Sequence, residues 1–300
     1  MPPLIAKKSK LRVLHAKSLQ NQPWLVHGFS TRLGGVSTGF GGAALNLGFS
    51  KHDTDSAVQR NRAAFFRKLR VRRDAWSLVT LRQIHSDIIH RIQEVPSHPL
   101  TGDGLVTAAP HLLLGIQTAD CLPVIVADPR QRAAGVFHAG WRGTIKRIVE
   151  KGVGEMQRYF GCRARDLHVA IGPGVHGCCY EVGSEVREQF ESQFSYAAKL
   201  FRELKDSDPV REKYPLLFLT ARAPGHSDLP IKIFLDLVEA NRRQLLDVGV
   251  LPRNIWVSDL CTSCRTDLLF SYRKERGVTG RMLAVAGIRE PKRKPRGRGR

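Results

Sequence analysis

Acidic residues are in short supply: 27 Asp and Glu stand against 48 Lys and Arg, a formal net charge of +21. Cysteine is also scarce, six among 300 residues, which excludes a disulfide scaffold. Long apolar runs are absent. The longest apolar region, His111 to Ala127, is broken by Gln117, Asp120 and Pro123, so no segment reads as a membrane span. The first residues hold no apolar stretch of about 7–15 positions ending in a small-residue cleavage site. A soluble, reducing, cytoplasmic setting is the expectation that follows.

What remains is ordinary for a folded chain. Hydrophobic residues make up 42% and charged residues 25%, and 300 residues bury a core without disulfide or metal staples. The +21 surplus invites a nucleic-acid reading until its distribution is considered. The twelve residues from Arg289 carry a net +6 and the first seventeen +5, leaving +10 for residues 18–288. The chain therefore divides into a basic N-terminal extension, 1–22, a folded body, 23–288, and a disordered basic tail, 289–300, where Pro and Gly separate the charges. Nucleic-acid contact through that tail would be nonspecific and salt-dependent.

Short apolar runs between Gly, Asp and Pro predict strands at Trp24–Phe29, Trp76–Ile84, Ile88–Val95, Leu112–Gln117, Leu122–Ala127, Ala133–Phe137, Leu167–Ile171, Ile255–Val257, Leu268–Tyr272 and Met282–Ile288. Helical periodicity predicts helices over Ser56–Leu69, Thr144–Phe160 and Ile231–Val248. Residues 203–230 read as an irregular insertion. Strands and helices do not alternate, so the expected class is α/β with α+β character, mixed sheets rather than a doubly wound parallel one.

Three predicted strand ends carry metal-capable side chains: Gln83-Ile84-His85, Thr118-Ala119-Asp120-Cys121 and Phe137-His138-Ala139-Gly140-Trp141-Arg142-Gly143. Their separations match no zinc-finger spacing, so any site must be assembled by the fold. One thiolate and two imidazoles would leave a fourth tetrahedral position open, as in a catalytic zinc site; a buried Cys with two hydrogen-bonded His is the plainer alternative. The glycine-flanked Arg142 beside a helix start suits a phosphate or carboxylate. Arg32, in Thr31-Arg32-Leu33-Gly34-Gly35, and Asn46, in Leu45-Asn46-Leu47-Gly48, read first as turn residues and second as ligand contacts. Cys261-Thr262-Ser263-Cys264 with Cys178-Cys179 would supply four thiolates, but adjacent cysteines seldom ligate one ion without strain. Cys162 reads as a small hydrophobe.

Taken together with Asn61-Arg62, Asp103-Gly104-Leu105-Val106-Thr107, Ile171-Gly172-Pro173, Cys178-Cys179-Tyr180-Glu181-Val182, Phe270-Ser271-Tyr272-Arg273 and Thr279-Gly280-Arg281, these motifs resemble the YfiH/laccase-domain family of purine nucleoside phosphorylases, earlier labelled polyphenol oxidases or multicopper oxidases. The resemblance runs from about His27 to Ile288. It implies a single domain with mixed β-sheets layered between helices and a zinc ion held by His85, Cys121 and His138. It also implies phosphorolysis of adenosine, inosine, guanosine and methylthioadenosine, with adenosine deamination in the same site. Ser86 departs from the family's usual Gly, Gly104 from a common Ala, and Val175-His176-Gly177 from Ile-Gly-Pro. No departure removes a ligand.

On this reading purine nucleosides and phosphate are the partners. Arg32, Arg62, Arg142 and Asn46 are candidate phosphate or nucleoside contacts, and Asp120 and Glu181 are candidate acid–base groups. A copper-dependent polyphenol oxidase is disfavoured: Met1, Met156 and Met282 all lie away from the motifs, and no His-x-His pair occurs. A cysteine hydrolase with Cys121 as nucleophile and His138 as base, including one editing peptidoglycan precursors, leaves His85 without a role.

Overall fold

The computed structural model of the chain describes residues 9–205 and 231–290. Most of the predicted insertion, from 206 to 230, and the tail from 291 lie outside the described residues. Numbered along the chain, the first sheet runs β1 (Val13–Leu14), β2 (Leu25–Ser30), β16 (Met282–Ile288), β8 (Leu112–Thr118), β4 (Ser77–Arg82), β6 (Leu100–Thr101). The second runs β15 (Ile255–Val257), β11 (His168–Ile171), β9 (Leu122–Asp128), β10 (Ala133–Ala139), β7 (Gly104–Thr107), β5 (Ile89–Arg91). Both mix parallel and antiparallel pairs. A third, small sheet holds β12 (Glu181–Val182), β14 (Ile231–Leu235) and β13 (Phe201–Lys205), and β3 (Leu33–Ser37) stands apart.

The layers follow from the two-residue period of a strand. In β8, Leu112, Leu114 and Ile116 point into the core between the two large sheets, whereas Leu113 points to α2 (Asp55–Lys68). In β9, Ile125 and Ala127 share that inter-sheet core while Val124 and Val126 face the helices α4 (Ile148–Phe160) and α6 (Leu237–Asp247). Helix, sheet, sheet, helix is thus the order of the layers. Sheets covered on both faces read as continuous apolar runs, which is why these strands were visible in the sequence. Between β10 and α4, a Cβ on Gly152 would lie 2.4 Å from the fully buried Phe137 ring, so glycine sets the approach of helix to sheet.

Four expectations need correction. The helix over Thr144–Phe160 is two, α3 (Trp141–Ile145) and α4, broken at Arg147 with φ of 62°. Gln244 Nε2 donates to the Thr144 carbonyl at 2.8 Å, holding the break from α6. Residues Ile231–Leu235 form β14, not helix; α6 starts after Asp236, whose side chain accepts from the Glu239 N–H at 2.9 Å. Leu268–Tyr272 is a run of turns because its carbonyls are claimed elsewhere: the Arg32 N–H takes Leu268 O, and the Arg32 guanidinium takes Leu269 O. The described part of the N-terminal extension, 9–22, belongs to the body: Val13 and Leu14 pair with β2, and Ala16 and Leu19 are wholly buried. The remaining helices are α1 (Lys17–Gln20) and α5 (Ser184–Gln193). Among the described residues no helix is long and apolar enough to cross a membrane.

Candidate active site

Three connections converge at one end of the two large sheets. The β4–β5 loop carries His85, the β8–β9 turn carries Cys121, and the C-terminal end of β10 carries His138. One ligand atom from each lies within 4.8 Å of the others. The backbone at His85 (φ 58°) and at Asp120 (φ 97°) is left-handed, a conformation that costs a non-glycine residue about 1–3 kcal/mol and persists where packing enforces it. Gly140 completes the crowding: a Cβ there would meet Cys121 Sγ at 2.9 Å and His85 Cδ2 at 3.1 Å.

Asp103 organises this end of the fold. It directly precedes β7, whose Gly104 pairs with Phe137, so its carboxylate falls beside His138. Oδ1 lies 2.8 Å from His138 Nδ1, and the two carboxylate oxygens together accept from the backbone N–H groups of Ile84, His85 and Ser86 and from the Ser86 hydroxyl. Burial opposes the charge, yet hydrogen bonds from His138 and Ser86 hold the Asp103 carboxyl down to about 2. Ser86 thus donates twice to this carboxylate, through its N–H and its hydroxyl. With Nδ1 engaged, His138 presents Nε2 to the cleft. Burial works against ionising Cys121 and His138, but each stabilises the other's charge, and Asp103 adds to the second. The Cys121 thiol is lowered to about 6 and the His138 imidazole raised to about 9.

The donor set fits zinc: two imidazoles and a thiolate, one imidazole oriented by a carboxylate, with an open side toward a cleft of about 590 Å³. Trp141, Tyr180 and Tyr272 give the cleft apolar surface, and Arg142, Arg273 and Arg281 give it positive charge. Among the described residues no carboxylate lies within ion-pair distance of Arg142 or Arg281. The Arg273 guanidinium lies over the Tyr180 ring and donates to the Glu181 carbonyl. Burial raises the Tyr180 hydroxyl above its ordinary range, so it remains a neutral donor. No methionine lines the cleft.

The sequence candidates separate sharply. Arg142 and Asp120 line the cleft with His85, Cys121 and His138. Asp120 already accepts on both oxygens, from Thr262 Oγ1 at 2.6 Å and from the Arg273 N–H at 2.7 Å, which fastens the Cys121 turn to two other loops. The exposed Glu181 side chain borders the adjacent surface cleft instead. Arg32 is wholly buried, paired with Glu275 at 2.9 Å and donating to the carbonyls of Phe40 and Thr266, so it is a framework residue and not a ligand contact. Asn46 is equally buried, bonded to Gly48, Asp53 and the Arg281 N–H. Arg62 lies outside the cleft lining, donating to the Leu47 carbonyl and covering the Phe49 ring. Sequence reasoning missed Asp103, Tyr180, Arg273 and Arg281 as site residues, although each stood inside a quoted motif.

Comparison with known proteins finds matches along most of the chain. The family described as multi-copper polyphenol oxidoreductase laccase matches residues 26–289. A purine nucleoside phosphorylase of Deinococcus radiodurans is 37% identical over 87% of this chain and 88% of its own length. The purine nucleoside phosphorylase YlmD of Geobacillus stearothermophilus is 35% identical over 88% and 90%, respectively. The crystal structure of YlmD from Geobacillus stearothermophilus superimposes with a TM-score of 0.74 at 31% identity, covering 96% of this chain and 100% of that one.

Proposed function

The chain belongs to the multi-copper polyphenol oxidoreductase laccase family, and on that footing we propose that it is a zinc-dependent purine nucleoside phosphorylase. Adenosine, inosine, guanosine and methylthioadenosine are its proposed substrates, with adenosine deamination in the same cleft. The observation that carries the reading is one cleft joining a His-Cys-His donor set to cationic and aromatic side chains.

Held by His85, Cys121 and His138, zinc would supply Lewis-acid activation beside the bound nucleoside. In phosphorolysis a phosphate oxygen forms a bond to C1′ of the ribose as the C1′–N9 bond breaks, and the departing purine takes up a proton. Arg142 and Arg281, which have no carboxylate at ion-pair distance among the described residues, would neutralise the phosphate. Trp141 and Tyr272 offer faces to a purine, and the neutral Tyr180 hydroxyl can donate a hydrogen bond to it. Asp103 keeps the His138 tautomer fixed, and Asp120 positions the Cys121 turn. In deamination, water adds at C6 of adenine and ammonia leaves.

One specific observation favours a second reading. Cys121 and His138 lie side by side, and each favours the other's charge, as the thiolate–imidazolium couple of a cysteine hydrolase requires. Metal analysis followed by chromatography of adenosine, with and without phosphate, separates the two. Adenine and ribose 1-phosphate formed only with phosphate are expected, together with inosine in either condition; absence of nucleoside turnover with acylation of Cys121 would overturn the proposal. We place the enzyme in the cytoplasm, with the tail an accessory arm for nonspecific nucleic-acid contact. Deleting residues 291–300 should weaken retention on nucleic acid and leave nucleoside turnover unchanged.

A further inference from the structure

A second sulfur-rich cluster lies outside the catalytic donor set. Cys178 and Cys179 come from the turn that follows β11, and Cys261 and Cys264 from the turn that follows β15. Their four sulfur atoms all lie within 4.8 Å of one another, with Cys178 Sγ 3.6 Å and Cys179 Sγ 3.3 Å from Cys264 Sγ. Zinc–sulfur bonds of about 2.3 Å place tetrahedral thiolates about 3.8 Å apart, so this spacing is that of a set able to close on one ion.

The sequence argued against adjacent cysteines sharing a metal, and the local backbone removes the objection. The N–H groups of Cys179 and Tyr180 both bond to the His176 carbonyl at 2.9 Å, folding the chain so that neighbouring side chains reach the same sulfur partner. The backbones of the two segments are also zipped together. Gly174 bridges Cys261, the Thr262 N–H bonds to the Gly174 carbonyl at 2.9 Å, and the His176 N–H donates to Cys261 Sγ at 3.5 Å. Backbone N–H donation to a sulfur stabilises thiolate charge. Arg273, Lys274 and Arg276 line the surface cleft that Cys179 and Ser263 also border, outnumbering its two carboxylates, Glu181 and Glu275.

We propose that Cys178, Cys179, Cys261 and Cys264 form a second, structural zinc site. Four thiolates leave no open position, so the ion would do no chemistry itself. It would clamp two turns whose continuations reach the active cleft: Tyr180 directly follows Cys179, and Thr262, between the other two cysteines, donates to Asp120 at 2.6 Å. The four thiols release their protons to solvent and bind as thiolates, and no redox partner is required.

The test is metal content of the full-length protein purified under reducing conditions without chelator. Wild type should hold two zinc ions per chain, the His85→Ala/Cys121→Ala double variant one, and the Cys261→Ser/Cys264→Ser double variant one. Cobalt substitution provides a measurement that leaves the cluster intact. Cobalt added to metal-free His85→Ala/Cys121→Ala protein should give the intense charge-transfer absorption of a tetrahedral tetrathiolate centre. A single zinc in wild type that vanishes with Cys121, iron in the cluster, or a disulfide between these cysteines by mass analysis of that reduced preparation would overturn the proposal, as would cobalt without thiolate absorption.

Discussion

The two sulfur-containing clusters of this protein are built on opposite plans. His85, Cys121 and His138 project from the ends of strands in two rigid sheets, are oriented by the buried Asp103, and face a cleft that admits a ligand. Cys178, Cys179, Cys261 and Cys264 sit on turns and turn their sulfurs toward one another. Three ligands with an open side support chemistry, and four with none support shape. The difference predicts which substitutions stop turnover and which only loosen it.

The largest effect should come from the catalytic donors. Cys121→Ala should lower phosphorolysis about a thousandfold or more, because the activation supplied by the ion is lost. Zinc at the cysteine cluster should remain, so metal content falls by one ion and not two. Equal activity in metal-depleted Cys121→Ala protein would break the distinction between the two sites.

Thiol chemistry in the metal-free protein should separate the clusters next. Burial resists the Cys121 thiolate but the His138 imidazolium and hydrogen bonds from both histidines prevail, giving about 6, whereas burial and the Cys264 contact push Cys178 up to about 11. Deprotonation raises alkylation in each case, so the pH midpoint of Cys121 should lie well below that of Cys178. Site-resolved mass spectrometry of iodoacetamide labelling against pH reads both at once. Coincident midpoints would show that the clusters do not differ electrostatically.

Asp103→Asn tests the support behind the open site. The substitution retains size but removes the charged acceptor shared by His138, Ser86 and three backbone N–H groups, at least one of which must then face an amide N–H. A loss of about 10–100-fold in zinc affinity or activity is expected. Zinc titration with a competing chelator distinguishes this from a change confined to substrate binding.

How much of this was legible in sequence depended on whether a signal was local. Strands β8, β9 and β10 declared themselves by uninterrupted apolar runs, and His85, Cys121 and His138 by ending strands inside recognisable motifs. Arg32, read first as a turn residue and second as a ligand contact, could not be resolved locally, because its partners, Glu275 and the turns at 266–269, lie more than 230 positions away in sequence. Asp103 carries its meaning only through the pairing of Gly104 with Phe137, and sequence spacing does not encode that register. The helix over Thr144–Phe160 failed for a similar reason, since the group that holds its break, Gln244, comes from another helix. The cysteine pair was discounted on local geometry that the His176 turn changes.

Cys264→Ser should have the smallest effect on chemistry, and its pattern matters more than its size. Cys264 Sγ touches both Cys178 and Cys179, so the substitution removes the sulfur that links both of them to the second turn, while the backbone bridge at Gly174 remains. Loss of a bound structural ion should lower Tm by about 5–10 °C, as expected when a ligand that binds only the folded state is removed. The His-Cys-His set rests on the large sheets and on Asp103, so its zinc should stay. Tyr180 and the Thr262–Asp120 bond lie next to the clamp, and their displacement should raise KM about two- to fivefold with kcat little changed. Kinetics and zinc content measured together on the same preparation decide the matter. If kcat instead collapsed while the cleft kept its zinc, the cysteine cluster would have to act directly on the reacting groups, and the division between a site for chemistry and a site for shape would be withdrawn.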